Sequence, residues 1–265
     1  MKVGRIAPHA WEEPCISGEK GSGAIFFAGC NMGCVFCQNE KLSRGLAGKE
    51  FSEEELAKEC LKLQDLGCHN INLVTPSHYV LQIRTMLRIA RKQGLKIPVV
   101  YNTSSYEKVD ALRLLEGLVD IYLPDFKYFD RETAGRYSYA PDYPQVAKEA
   151  LAEMVRQTDF PRFDGDGMMQ SGVLVRHLVL PGHVEESKEV IRYLHETYGD
   201  KIYLSIMNQY TPQPGAETFP EINRKLTEEE YEKVVEFAML IGVEQGFIQE
   251  GDTAKESFIP EFNLE

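Results

Sequence analysis

The sequence predicts an α/β protein built as a partial (β/α)6 barrel, and three observations carry that expectation. Short apolar runs alternate with stretches of 3.6-residue periodicity, the pattern of a parallel sheet covered by helices. The strand–helix units number six in about 225 residues, whereas a full barrel has eight in about 250. No internal repeat, low-complexity tract or linker-like run divides the 265 residues. We therefore expect one domain over 21–245, with an N-terminal extension over 1–20 and a C-terminal extension over 246–265.

The first strand is the apolar run Ala24 to Ala28, ending at Gly29-Cys30. A helix follows from Ser52, whose partner Glu55 completes a capping box, with Leu56, Cys60 and Leu63 on its apolar face. The second strand is Ile71 to Val74, and its helix starts near Ser77, buries Val80, Ile83, Leu87 and Ala90, and closes at Gly94. Ile97 to Tyr101 forms the third strand, with Val109, Leu112 and Leu115 on the next helix. The fourth, Leu118 to Leu123, leads into Pro124-Asp125-Phe126-Lys127 and two helical stretches near 129–137 and 144–157. Asp-Gly chemistry between Phe160 and Gly172 marks a loop or small hairpin. Val173 to Leu180 is the fifth strand, followed by a helix from Glu185 to Tyr198; Ile202 to Ile206 is the sixth. A last helix opens on a Thr227/Glu230 capping box.

Composition narrows the function class. With 43% hydrophobic and 26% charged residues, the chain is of ordinary globular type. It has no apolar window of about 18 residues, so no membrane span is expected. The opening MKVGRIAPHAWEEPC lacks an apolar core and a small-residue cleavage site, and a cytoplasmic location is expected. A formal charge of −12 repels phosphate backbones and argues against a nucleic-acid partner.

Six cysteines are too sparse for a disulfide scaffold, and three of them, Cys30, Cys34 and Cys37, crowd into one stretch at the end of the first strand. Gly29 and Gly33 give that stretch backbone freedom. Three soft ligands from one loop suit zinc or an iron–sulfur cluster. A structural zinc site shows four ligands, usually in two pairs, and no second Cys-x-x-Cys or His pair is present. A [4Fe-4S] cluster with one iron free of protein ligation satisfies the spacing and leaves an open coordination position. Cys60 reads as core. Cys15 and Cys68, with no paired spacing, do not build an auxiliary cluster.

The Cys-x3-Cys-x2-Cys spacing, with an aromatic residue before the third cysteine and a preceding apolar strand, resembles the motif of the radical S-adenosylmethionine (SAM) enzymes. That resemblance implies a [4Fe-4S] cluster on Cys30, Cys34 and Cys37, SAM on the open iron, and Phe36 near the adenine. It implies reductive cleavage of SAM to a 5′-deoxyadenosyl radical, driven by a flavodoxin or ferredoxin. From about Gly21 to Tyr210 the chain is similar to glycyl-radical-enzyme activases, the homologues of pyruvate formate-lyase activating enzyme. Thr75 and Ser77 fall where those enzymes carry a Gly-Gly-Glu segment for the methionine amino group, and this chain has no carboxylate there. Asn102, Thr103 and Ser104 fall on a loop that lies by the cofactor and, in some members, helps hold a monovalent cation. Asp125 and Lys127 resemble an Asp-Leu-Lys strand end, and Arg176 falls where an arginine reaches the SAM carboxylate. Gln209 or Asn208 takes the place of a terminal histidine and can bond ribose hydroxyls.

Simpler roles stand beside these. Arg176 inside an apolar strand implies function or a buried ion pair; Lys127 can pair with Asp125. His78 and His183 stand at strand ends as polar or substrate-contacting groups. His177 points away from Arg176 and under a helix, and His9, His69 and His195 are structural. Three functions follow: an activase acting on a backbone glycine of a partner protein; the same radical acting on a small molecule or another peptide, with Tyr128 to Gly172 as a lid; or a non-catalytic metal- or cluster-binding scaffold.

Overall fold

The computed structural model describes residues 1–249. Its strands are β1 (Lys2–His9), β2 (Ser22–Phe27), β3 (Lys49–Glu50), β4 (Ile71–Val74), β5 (Val99–Thr103), β6 (Ile121–Pro124), β7 (Arg162–Phe163), β8 (Met169–Leu178), β9 (Ile202–Met207) and β10 (Gly246–Ile248). The helices are α1 (Pro14–Ser17), α2 (Glu40–Ser43), α3 (Glu53–Asp65), α4 (Val80–Lys92), α5 (Val109–Arg113), α6 (Arg131–Ser138), α7 (Tyr143–Thr158), α8 (Val184–Tyr198) and α9 (Glu228–Leu240). The strands form one open sheet in the order β10-β9-β8-β6-β5-β4-β2-β1-β3, with β7 paired to β8 beside it. From β2 to β10 every neighbouring pair is parallel, and β1 and β3 add antiparallel. Among the described residues no helix is long and apolar enough to cross a membrane.

The six expected strands are β2, β4, β5, β6, β8 and β9, and both capping boxes form as expected at Ser52/Glu55 and Thr227/Glu230. Strand β6 starts later than its apolar run because Leu118 closes a turn onto Leu115 and Asp120 accepts from the amide of Val99, starting the ladder there. The helix expected from Ser77 opens instead with a 3-10 turn over Ser77–Tyr79, and α4 begins at Val80.

Strand periodicity divides the core in two. Phe27, Leu73, Tyr101, Tyr122, Val175 and Leu204 point outward and pack under Leu56 and Cys60 of α3, Ile83 and Leu87 of α4, Leu151 of α7 and Val190 of α8. The alternate residues point into the concave side. There Val100, Ile121, Leu123 and Leu174 surround Cys15 and Ile16, and Ala24, Phe26 and Ala28 meet Leu42 and Ala47. Residues 128–172 belong mostly to the outer layer: α7 packs on β6, β8 and α5, and the β7–β8 hairpin lies at the N-terminal end of β8. They do not form the lid that one reading of the sequence assigned to them.

The segment read as an N-terminal extension is built into the fold. Strand β1 pairs with β2 along its length, and residues 10–17 turn into the concave side as a strap. Asn70, itself bonded by Ser22, donates to the Ile16 carbonyl at 2.7 Å, and Ser17 Oγ accepts from the Glu12 amide. The periodicity argument overlooked the strap because its four-residue helix is too short to show a period. In the C-terminal segment, β10 extends the parallel sheet beside β9; residues 250–265 lie outside the described residues.

Two predictions follow from this packing. Ile16 is fully buried among inward-facing strand residues, so Ile16→Ala should destabilise the protein by about 2–4 kcal/mol in denaturant unfolding; a loss under about 1 kcal/mol would make the strap peripheral. His177 is buried with Nδ1 2.8 Å from the Phe126 carbonyl, and burial pushes its pKa down from 6.5 to about 4. The unfolded chain therefore takes up a proton between those values that the native chain refuses, and stability is lost as pH falls from 6.5 towards 4. His177→Asn should flatten the fall in Tm over that interval; an unchanged slope would remove His177 from the acid sensitivity.

Candidate functional site

At the C-terminal ends of the parallel strands the concave side opens into a cleft of ≈ 270 Å³. Cys30, Cys34 and Cys37 line it from the loop after β2, and Thr75 lines it from the end of β4. Asn102, Ser104, Asp125, Lys127, Arg176 and Gln209 complete it from the successive strand ends. The inward period of β5 and β8 thus changes from apolar Val100 and Leu174 on the floor to polar Asn102 and Arg176 above.

The cysteine loop is clamped from several sides. Gly29 has φ +96°, and a Cβ there would come within 2.9 Å of His78 Nε2, which lies 2.8 Å from the Ala28 carbonyl. His78 is thus a brace for the loop. Gly33 has no positive φ; its bare Cα is instead covered by the Tyr139 ring, 3.1 Å from a Cβ position. The amide of Val35 donates to the Tyr137 carbonyl at 2.9 Å, and Ser138 Oγ donates to Cys34 Sγ at 3.0 Å. No cysteine is in a disulfide among the described residues. Burial pushes the Cys30 thiol up to about 11 and raises Cys34, which Lys127 and Ser138 partly offset. These thiols stay protonated until a metal takes the proton's place. Among the described residues no three ligating side chains converge as a single-ion site requires. Three thiols facing one cleft from separate points of a loop fit a multi-iron cluster, whose corners take one thiolate each.

Below the loop lies a ring of charge. Arg176 donates from Nε to Asp125 Oδ1 at 2.8 Å, from Nη1 to Glu12 Oε2 at 3.0 Å and from Nη2 to Asn102 Oδ1 at 2.8 Å. Lys127 Nζ donates to the other Asp125 oxygen at 2.7 Å. Burial alone would raise the Asp125 carboxyl, but Arg176 and Lys127 hold it below 3.8; burial alone would lower the Lys127 ammonium, but Asp125 holds it above 10.5. Tyr143, fully buried, fixes the turn: its hydroxyl accepts from the Lys127 amide and shares its single proton between the Ser104 and Asp125 carbonyls, each at 2.9 Å. The two cations and two carboxylates balance. Arg176 commits three of its five N–H groups to these partners.

Not every expected residue reaches the cleft. Ser77 and Thr103 face the other side of the strand ends, where both hydroxyls donate to buried Glu107, which also accepts from Tyr101. Strand alternation explains Thr103, since Asn102 and Ser104 on either side point inward. The loop oxygens assigned to a monovalent cation are likewise engaged, Asn102 by Arg176 and Thr103 by Glu107, and they do not fit a cation site. Ser104 Oγ is different: the residue is 7% exposed, lines the cleft and has no partner among the described residues. Phe36 lines the cleft with its ring 5.8 Å from Tyr210. His183 packs on Tyr137, 2.9 Å from its hydroxyl, away from the cleft. His9, read as structural, stands in the cleft wall against Phe26.

Sequence reasoning missed Trp11, Glu12 and Glu13 on the strap. Glu12 accepts from Asn72 at 3.0 Å as well as from Arg176. Glu13 lies fully inside, and burial pushes its carboxyl up. A Glu-Glu pair after a lone tryptophan was the available signal, masked by the absence of any periodic element around it.

A family model for the radical SAM superfamily matches residues 24–207, most of the described chain. The chain belongs to that superfamily. It is 34% identical over 226 residues to an uncharacterized Methanocaldococcus jannaschii protein, MJ0674, covering 82% of this chain and 62% of the relative. The fold is similar to that of Streptococcus suis SuiB bound to its precursor peptide SuiA, with a TM-score of 0.59 and 14% identity over 87% of this chain and 48% of that one. It is also similar to the FeFe-hydrogenase maturase HydG from Carboxydothermus hydrogenoformans, with a TM-score of 0.59 and 12% identity over 91% of this chain and 61% of that one. The chain thus spans about half to under two thirds of the length of these relatives. The radical SAM assignment supports an enzyme that uses SAM and an iron–sulfur cluster, and the open parallel sheet is the partial barrel expected.

Removing Asp125 leaves Arg176 and Lys127 without their shared counter-charge. Asp125→Asn should cost on the order of 3–5 kcal/mol in denaturant unfolding. The native carboxyl, held below its ordinary value, contributes stability above pH 3.8 that fades as pH falls through the lower folded value. The variant should therefore also show a flatter acid limb, and a loss under about 1 kcal/mol would show that the ring is not a stabilising unit.

Proposed function

We propose that this radical SAM protein is an activase that abstracts a hydrogen atom from a glycine of a partner polypeptide. Cys30, Cys34 and Cys37 would hold the [4Fe-4S] cluster, with Phe36 against the adenine and Gln209 toward the ribose. When bound, the reduced cluster would pass one electron to SAM, releasing methionine and the 5′-deoxyadenosyl radical that takes the hydrogen atom. Arg176 would orient the carboxylate of SAM through the two N–H groups not used by its partners, and Thr75 would accept from the ammonium. Glu12, in the same cleft, provides the carboxylate that the β4 strand end lacks. Ser104 offers its unpartnered hydroxyl to the bound cofactor. Lys127 pairs with Asp125 and would thereby help fix the carboxylate against which Arg176 is set. A cytoplasmic flavodoxin or ferredoxin would supply the electron.

The observation that carries the polypeptide reading is what does not cover the cleft. Residues 128–172, the candidate lid for a small-molecule reaction, belong mostly to the outer layer. Trp11, 58% exposed, instead lines the mouth beside Met32 and Leu178. The balanced ring beneath gives no net positive field for an anionic metabolite. An aromatic and apolar rim over a neutral floor suits a peptide segment.

Anaerobic reconstitution with iron and sulfide, reduction and addition of SAM should yield 5′-deoxyadenosine, and a protein fraction of a cell extract should stimulate it. Stimulation by the small-molecule fraction alone would favour the second reading, a radical enzyme for a small substrate. Cys34→Ala should abolish both iron uptake and SAM cleavage; cleavage retained in that variant would sink the cluster assignment. Glu12→Gln should keep its iron while weakening SAM binding about tenfold, or ~1.4 kcal/mol, in equilibrium binding. Unchanged affinity would take Glu12 out of the cofactor site.

A further inference from the structure

Of the three cleft thiols, Cys34 stands in an environment of its own. The contact to Cys30 Sγ is the Met32 amide at 3.4 Å, and Cys37 Sγ lies 3.6 Å from Ser43 Oγ. Ser138 Oγ approaches Cys34 Sγ to 3.0 Å, from a residue only 2% exposed. Behind it, the hydroxyl of Tyr128, a fully buried residue, lies 2.7 Å from the same Ser138 oxygen. Ser138 is the last residue of α6, and Tyr139 after it turns into the left-handed region at φ +55°. The Val35 amide bonded to the Tyr137 carbonyl ties the adjacent backbone to the cysteine loop. The spacing from serine to sulfur is thus fixed by main chain on both sides.

The direction of the two hydrogen bonds is dictated by proton count. A thiolate bound to iron has no proton and can only accept, so the single Ser138 proton points at sulfur. The Ser138 oxygen then accepts the single proton of Tyr128. The two O–H dipoles align head to tail with their positive ends toward Cys34, and each polarises the other. In this buried setting little solvent screens them. An electron added to a cluster places part of its charge on the ligand sulfurs, so donors aimed at sulfur stabilise the reduced form more than the oxidised one.

We propose that Ser138 and Tyr128 are tuning residues that raise the reduction potential of the cluster through Cys34. The inference rests on the cluster reading of Cys30, Cys34 and Cys37 and adds to it a function for a buried tyrosine and serine outside the cysteine motif. Neither residue is placed among the groups that hold SAM.

The test is an anaerobic redox titration of the reconstituted full chain with titanium(III) citrate, followed by the electron paramagnetic resonance signal of the reduced cluster. Wild type is compared with Ser138→Ala, Ser138→Thr and Tyr128→Phe, each with iron and sulfide measured. Ser138→Ala should move the midpoint to a more negative potential. Tyr128→Phe should move it the same way by less, and Ser138→Thr should restore it. A merely structural serine would change cluster yield without moving the midpoint of the clusters that form. If Ser138→Ala fails to hold a cluster, Tyr128→Phe decides, because it keeps the serine–sulfur contact and removes only the dipole behind it. Wild-type midpoints in both loaded variants would overturn the tuning role alone. Failure of the wild type to take up iron would overturn the cysteine reading beneath it.

Discussion

The guanidinium of Arg176 is the group around which the concave side is organised. It lies on an inward position of β8, where a bare cation would be costly, and it is hydrogen-bonded from three other parts of the chain, two of them carboxylates that neutralise it. Asp125 commits the end of β6, Asn102 commits β5, and Glu12 commits the strap. The backbone follows the same connection, with the Phe126 amide donating to the Arg176 carbonyl at 2.8 Å beside a bridge between Asp125 and Arg176. One charge thus requires three strand ends and a loop to meet at fixed distances. That meeting leaves the ring of two cations and two carboxylates electrically balanced.

A second layer of constraint holds the cysteine loop above this floor. His78 stands against Gly29, the end of α6 bonds Val35 and Cys34, and Gly215 fits against Val35 so closely that no side chain could stand there. Three thiols that face one cleft are presented by a loop with almost no regular structure of its own. Its order comes from contacts made by distant elements. The cysteine loop and the partial barrel are therefore coupled: disturbing α6 reaches Cys34 directly through Ser138, and disturbing the turn after β4 reaches the loop through His78.

The parallel strands were readable in the sequence because each is a short apolar run whose outward residues face helices with clear periodicity. The same reading placed Cys30, Cys34, Cys37, Lys127 and Arg176 at strand ends, and the structure gathers all five in one cleft. It could not separate Asn102 and Ser104 from Thr103, or Thr75 from Ser77. In those cases side-chain direction depends on where a strand ends, and Glu107, an acid with no motif around it, draws two hydroxyls away. Strap residues 10–17 were invisible for a different reason. Their burial comes from filling a cavity that exists only when the strands have curved around it, and local pattern carries no trace of that.

The strap also sets an order of events during folding. Glu12 and Arg176 are 164 positions apart in the chain, yet they are 3.0 Å apart in the fold. The inner face of the strap meets Asn70, Asn72, Val100 and Ile121 from parts of the chain that precede β8, but Glu12 has no cationic partner until β8 is laid beside β6. The loop-closure entropy of joining residues so far apart must be met before that ion pair contributes. The seam between strap and β8 is therefore a contact of high sequence separation, the kind that slows folding rather than nucleating it.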